Sequence, residues 1–144
     1  MSHDENCVFC KIIKGEIPSA KVFENEDIYA FLDLSQVTKG HTLVIPKKHQ
    51  KDIFQLDPDT AAAIYKQVPM IANAIKAAFN PVGMNIINNN GSFASQTVFH
   101  YHVHLIPRYD ETDGFTPVFQ SHMDDYTEAD RKSIAEQIKT HTRK

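Results

Sequence analysis

The sequence predicts an α+β fold, an antiparallel sheet with helices packed on one side of it. Three observations carry this. Short runs rich in β-branched and aromatic residues, bounded by turn residues, recur before residue 47 and again after residue 83. One stretch, 58–79, instead carries apolar residues at steps of one, three and four, the period of a helix. Two of the strand-like runs are joined by a turn of only three residues, Asn25-Glu26-Asp27, which suits antiparallel neighbours.

The elements follow in chain order. Residues 7–14 suit a helical turn or two, stopped by Gly15. Ile17-Pro18 begins an extended stretch, and Lys21 to Glu24 and Ile28 to Leu34 read as strands. Gly40 precedes a strand from His41 to Pro46. Asp57 is a good N-cap, and Pro58 fits the first helical position of the long helix. Within that helix Pro69 removes a hydrogen bond and should bend it, and Asn80-Pro81 ends it. Met84 to Ile87 is a further strand, followed by the polar loop Asn88-Asn89-Asn90-Gly91-Ser92. Residues 98–107 form the next strand. Asp110 to Gln120 fits no regular element. Thr127 to Asp130 opens a short helix with Ile134 and Ile138 on its apolar face.

The 144 residues suit one domain with a sizeable core. Hydrophobic residues make up 42% and charged residues 23%, the balance of an ordinary globular chain. The net charge of −3 argues against nucleic acid as a partner. No apolar run approaches the roughly 20 residues of a membrane span. The start, Met-Ser-His-Asp-Glu-Asn, is too polar for a secretory signal, so a cytoplasmic location is expected. Both cysteines, Cys7 and Cys10, lie in one C-x-x-C, which in such a compartment points to metal or redox use over a structural disulfide.

The most informative run is Val98-Phe-His-Tyr-His-Val-His-Leu-Ile-Pro107. On a strand, His100, His102 and His104 share one face at spacings of about 7 Å, and Tyr101, Val103 and Leu105 share the other. Histidine is not a favoured strand residue, so three on one face call for a chemical reason. One imidazole can attack phosphorus while others donate to its oxygens or move protons. The amides, hydroxyls and backbone N–H groups of residues 88–97 run directly into this strand and suit an anion such as phosphate. A rival is one metal ion bound by all three histidines. Separately, Cys7 and Cys10 need two more ligands for a closed zinc site, and His3, His41, His49, His100, His122 and His141 are candidates. Reduced cysteines that simply pack Val8 and Phe9 into the core are the other reading.

His100-Tyr-His102-Val-His104-Leu-Ile resembles the motif of the histidine-triad (HIT) family, His-φ-His-φ-His-φ-φ with φ hydrophobic. Cys7-Val-Phe-Cys-Lys-Ile-Ile-Lys-Gly-Glu-Ile-Pro18, Ala30-Phe-Leu-Asp33, Gly40-His-Thr-Leu-Val-Ile-Pro-Lys-Lys-His49 and Asn88-Asn-Asn-Gly91 resemble its Hint-like branch. The resemblance implies a single α+β HIT domain over 1–144, with its core at about 7–109 and a tail at 110–144. It implies a homodimer whose sheets run together, and an enzyme that cleaves purine nucleotide conjugates at the α-phosphate.

In that family the catalytic set would be His100, His102 and His104. His102 would attack phosphorus to form a nucleotidyl-histidine, which water releases, and His104 would contact the phosphate. Asn89, Gln96 and Thr97 would line the same pocket. Thr97 stands where a serine is common, and it keeps the hydroxyl. Asp33 would bind the ribose hydroxyls, and Val8, Phe9, Ile17, Phe31 and Leu34 would enclose the base. Bacterial members with a CxxC pair it with histidines, so Cys7, Cys10, His49 and His100 would hold a structural zinc. Three functions are open: cleavage of P–N bonds, cleavage of dinucleoside polyphosphates as in the Fhit-like branch, and nucleotide binding for regulation with little turnover.

Overall fold

A computed structural model describes residues 4–142, so the candidate ligand His3 lies outside the described residues. The order is α1 (Val8–Ile13), β1 (Lys21–Glu24), β2 (Ile28–Leu32), β3 (Thr42–Pro46), α2 (Pro58–Phe79), β4 (Gly83–Ile87), β5 (Val103–Arg108) and α3 (Glu128–Thr140). Single 3₁₀ turns stand at Ser92–Ala94 and Met123–Asp125. The five strands form one antiparallel sheet in the order β1-β2-β3-β5-β4. The fold is α+β, as the alternation of short strands and one long helix predicts.

Local chemistry accounts for the boundaries. The Cys7 side chain caps α1 by accepting from the Cys10 N–H, and Gly15 follows at φ +80°. The Asn25 carboxamide accepts from the N–H groups of Asp27 and Ile28 and closes the β1–β2 turn. Asp57 caps α2 by accepting from Thr60 N–H, Pro58 begins it, and Asn80 ends it in the left-handed region. Pro69 lies on the exposed side of α2, which continues through it.

Alternation along the strands divides the core in two. Ile28, Ala30, Val44, Tyr101, Val103 and Leu105 pack against Ile64, Val68, Ile71 and Ile75 of α2. Tyr29, Phe31, Leu43 and Ile45 pack on the opposite face against Phe9, Cys10 and Ile12 of α1. The sheet is therefore covered on both faces, by α2 on one and α1 on the other. This corrects the expectation of helices on a single side, and the period-two alternation of buried strands is the reason. α3 is a second correction. Thr127 and Asp130 form a full capping box, yet every residue of the helix is exposed and it packs on neither core.

The expected strand over 98–107 is shorter, beginning only at Val103. β3 and β5 pair as Val44↔Val103, and the same register would set Pro46 opposite Tyr101. Proline has no N–H to offer, so the ladder stops. On the other side the Asn88 side chain, not a backbone group, donates to the His102 carbonyl. His100 and His102 thus precede the sheet, and only His104 lies in it.

Candidate functional site

The sheet order puts β5 between the central strand β3 and the edge strand β4, which brings the histidine segment beside β3. Its alternation survives outside the ladder. Tyr101, Val103 and Leu105 face α2, while Phe9 of α1 packs edge-on against both His100 and His102, at centroid distances of 5.9 and 5.1 Å. The ring centroids of His102 and His104 lie 5.0 Å apart, closer than the backbone spacing alone suggests, with their planes at 60° to each other.

His102 and His104 line a cavity of about 600 Å³. Val8, Phe9, Ile17, Phe31, Asp33, Leu34 and Thr97 line it too. The structure places Asn89 and Gln96 outside that lining. Gln96 is buried, and its carboxamide is engaged by the backbone: it accepts from Gly91 N–H and donates to the carbonyls of Lys51 and Val98. Asn90 reaches across to accept from Ile53 N–H. These side chains hold the loop in shape before the histidine segment.

Hydrogen bonds assign different tautomers to the two cavity histidines. His102 Nδ1 lies 2.8 Å from the His100 carbonyl oxygen, which can only accept, so Nδ1 carries the proton and Nε2 is bare. His104 works the other way, through His41. Val37 N–H donates to His41 Nδ1 at 3.2 Å, so the neutral His41 carries its proton on Nε2. That proton is donated to His104 Nδ1 at 2.9 Å. His104 therefore carries its own proton on Nε2. One imidazole offers a lone pair, the other an N–H.

Burial keeps these rings neutral. It lowers the proton affinity of His102, against the opposing effects of the His100 carbonyl and the Asp33 carboxylate. It lowers His41 too, again against Asp33. Burial, with help from His102 and His41, takes His104 down to about 4. Asp33 Oδ2 stands 3.6 Å from His41 Nε2 and 4.0 Å from His104 Nδ1, while Oδ1 accepts from Ser35 N–H.

The sequence offers His41 only as a candidate zinc ligand. The structure sets it beside His104 instead, at the head of β3, where Gln36 staples its loop through the carbonyls of Asp33 and His41 and the N–H of Gly40. Its signal in the sequence is indirect. It lies two residues before Leu43, the register partner of His104, and so falls on the same face.

Cys7, Cys10, His49 and His100 form a second cluster. His100 Nδ1 lies 3.4 Å from Cys7 Sγ, 3.6 Å from Cys10 Sγ and 3.2 Å from His49 Nδ1, and His49 Nδ1 lies 3.4 Å from Cys10 Sγ. Tetrahedral zinc with bonds of about 2.0 Å to nitrogen and 2.3 Å to sulfur has ligand–ligand edges of about 3.3–3.8 Å. The donor set fits. His100 Nε2–H donates to the Pro46 carbonyl at 2.8 Å, which leaves its Nδ1 lone pair facing the cluster. Burial pushes the Cys7 thiol up to about 11, so a thiolate there needs a cation beside it. The remaining candidates lie elsewhere: His122 pairs with Asp125 on the exposed tail, and His141 ends α3.

An antiparallel α+β domain with two oppositely tautomeric imidazoles, one with a bare nitrogen and one with an N–H, on the wall of a mostly apolar cavity defines the class of protein. The comparisons with known proteins give that class its family. The model of the HIT domain matches residues 14–111, and this chain belongs to the HIT family. It is 54% identical over 134 residues to the "Protein hit" of Bacillus subtilis, covering 93% of this chain and 92% of that one. It is 40% identical over 118 residues to an adenosine 5'-monophosphoramidase of Candida albicans, covering 79% and 78%. Among solved structures, a HIT family protein from Bacillus anthracis superposes with a TM-score of 0.94 at 58% identity, over 99% of this chain and 100% of that one. A zinc-bound histidine triad family protein from Mycobacterium smegmatis superposes with a TM-score of 0.72 at 32% identity, over 94% and 97%.

Proposed function

We propose that the protein is a nucleotide-binding hydrolase that cleaves purine nucleotide conjugates at the α-phosphate, with His102 as nucleophile and a P–N bond as the preferred target. The observation that carries this is the division of protons between His102 and His104 on one cavity wall. The likeness to an adenosine 5'-monophosphoramidase supports the same reading.

The steps follow from the residues. The His102 Nε2 lone pair forms a bond to the α-phosphorus, and the bond from phosphorus to the leaving nitrogen breaks with its electron pair. Water supplies the proton to that nitrogen. The hydroxide left behind takes a proton from a second water as that water attacks phosphorus; the oxygen of the second water stays there, the P–N bond to His102 breaks with its electron pair going to Nε2, and the ring returns neutral. His104 Nε2–H donates to a non-bridging phosphate oxygen. It serves as a donor and not as an acid, because losing that proton while His41 occupies Nδ1 would leave an imidazolate.

Phe9, Ile17, Phe31, Val8 and Leu34 give the purine an apolar enclosure, Thr97 adds a hydroxyl, and Asp33 accepts from the ribose hydroxyls. Cys7, Cys10, His49 and His100 would hold zinc, which supplies a cross-link among α1, the segment after β3 and the segment before β5. The zinc-bound relative supports that assignment. Edge strand β4, with Ile86 exposed, is the surface on which a second copy would continue the sheet into a homodimer.

The test compares wild type with His102→Ala on adenosine monophosphoramidates and on diadenosine polyphosphates. Turnover should vanish in the variant while nucleotide binding remains. Radiolabelled phosphate from a slow substrate should be trapped on His102. Full turnover by His102→Ala on every substrate would remove the nucleophile assignment. Nucleotide binding by wild type without turnover on any of them would favour a regulatory role.

A further inference from the structure

The Cys7–Cys10–His49–His100 cluster is hydrogen-bonded to the cavity histidine His102 through His100. The His100 ring belongs to the cluster, and its carbonyl oxygen accepts from His102 Nδ1–H. That bond decides which nitrogen of His102 is bare. The sheet does not hold the carbonyl in place, because β5 begins three residues later. The segment is tied instead to residues 46–50, through His100 Nε2–H to the Pro46 carbonyl, Tyr101 N–H to the Gln50 carbonyl, and His100 against His49 within the cluster. Phe9, between the two cysteines, packs edge-on against both rings and gives α1 a second contact with the same pair.

We infer that the metal cluster is a positioning device for the nucleophile: metal held by Cys7, Cys10, His49 and His100 sets the His100 carbonyl so that His102 keeps its proton on Nδ1 and its lone pair on Nε2. Its consequence for turnover rests on the reading of His102 as nucleophile, but the tautomer itself does not. When the cluster loses its metal, its ligand atoms, three of them on buried residues and one on the half-buried His49, separate or take up protons, the His100 main chain shifts, and His102 loses the acceptor that fixed its tautomer. His104 should not respond, because its tautomer comes from His41 and Val37 on the other side. His49 is the cleanest handle, since it belongs to the cluster but not to the cavity lining.

The experiment reads imidazole ¹⁵N–¹H correlations of substrate-free protein at mildly alkaline pH, with metal content measured on the same samples. Zinc-loaded wild type should show His102 as a single Nδ1–H tautomer. Chelator-stripped wild type and His49→Ala should show a mixture, with His104 unchanged, and zinc should restore only the wild type. His49→Cys, which keeps four ligands, should hold the single tautomer. In the zinc-free samples kcat should fall about tenfold or more, within the range of second-shell losses, with KM nearly constant. If stripping unfolds the chain, zinc- and cadmium-loaded wild type are compared instead. The larger ion should move the His102 Nδ1–H signal and leave His104 in place. A single unmoved His102 tautomer in the folded zinc-free protein, or in the cadmium form where the zinc-free chain unfolds, would overturn the inference. Turnover lost with that tautomer intact would overturn it too and leave the hydrolase reading standing. A metal-dependent tautomer without turnover on any substrate would do the reverse.

Discussion

Acidification should destabilise the protein through His104, by an amount the structure lets one work out. The ring is held at about 4 in the folded chain, by burial first and then by His102 and His41, against about 6.5 when unfolded. The folded affinity is the lower of the two, so below pH 6.5 the unfolded chain binds the extra proton. Stability is lost as pH falls from 6.5 and levels off near 4. At pH 5 the loss is about 2 kcal/mol, and at full titration about 3 kcal/mol. The side chain is only 18% exposed, so solvent screens little of this.

The perturbation that isolates it is His104→Gln, which cannot titrate in this range. Urea unfolding at pH 7.5 and pH 5 would be followed by far-UV circular dichroism, since the chain has no tryptophan to report by fluorescence. Wild type should lose about 2 kcal/mol more than the variant between the two pH values. His41 and His102 are present in both proteins, and any metal held by Cys7, Cys10, His49 and His100 would be lost from both on acidification, so each largely cancels. Equal losses would refute the placement of His104 as a buried, neutral ring.

Three further outcomes follow from the same geometry. Asp33→Ala should weaken ribonucleotide binding by calorimetry about tenfold or more, the value of hydrogen bonds to a charged acceptor, and leave a 2′,3′-dideoxynucleotide almost unaffected; equal losses would take Asp33 out of the ribose role. Phe9→Ala should cost about 3–5 kcal/mol in urea unfolding, because Phe9 is buried and packs edge-on against Phe31, His100 and His102; a loss below 1 kcal/mol would show that α1 is not part of the core. Cys7→Ala and His49→Ala should each abolish stoichiometric zinc in metal analysis, and retention by both would sink the zinc assignment.

Much of the architecture is legible in the chain because it rests on local chemistry. Period-two and period-3.6 patterns name the strands and α2, and Asp57, Asn80, Gly15 and Thr127 mark ends by capping or by backbone freedom. Boundaries that depend on a partner strand are less legible. β5 starts at Val103 because Pro46 would face Tyr101, a fact of register that no property of residues 98–102 reveals. α3 shows the reverse: its caps and spacing are sound, but local propensity cannot say whether a core lies beneath it.

The sequence alone determined the class of chemistry. Three alternating histidines and a CxxC, set in flanks that resemble one family, narrow the residues to a short list, since side-chain type and period are local properties. Only the tertiary structure decided how those residues divide the work. His41 and His104 meet across 63 positions of chain, and His100 and Cys7 across 93. Which nitrogen carries a proton depends on what stands opposite it: a carbonyl for His102, a second imidazole for His104, a cluster of sulfur and nitrogen for His100. Those opposites are supplied by strand order and by the packing of α1, and three residues of one type thereby become three different chemical groups.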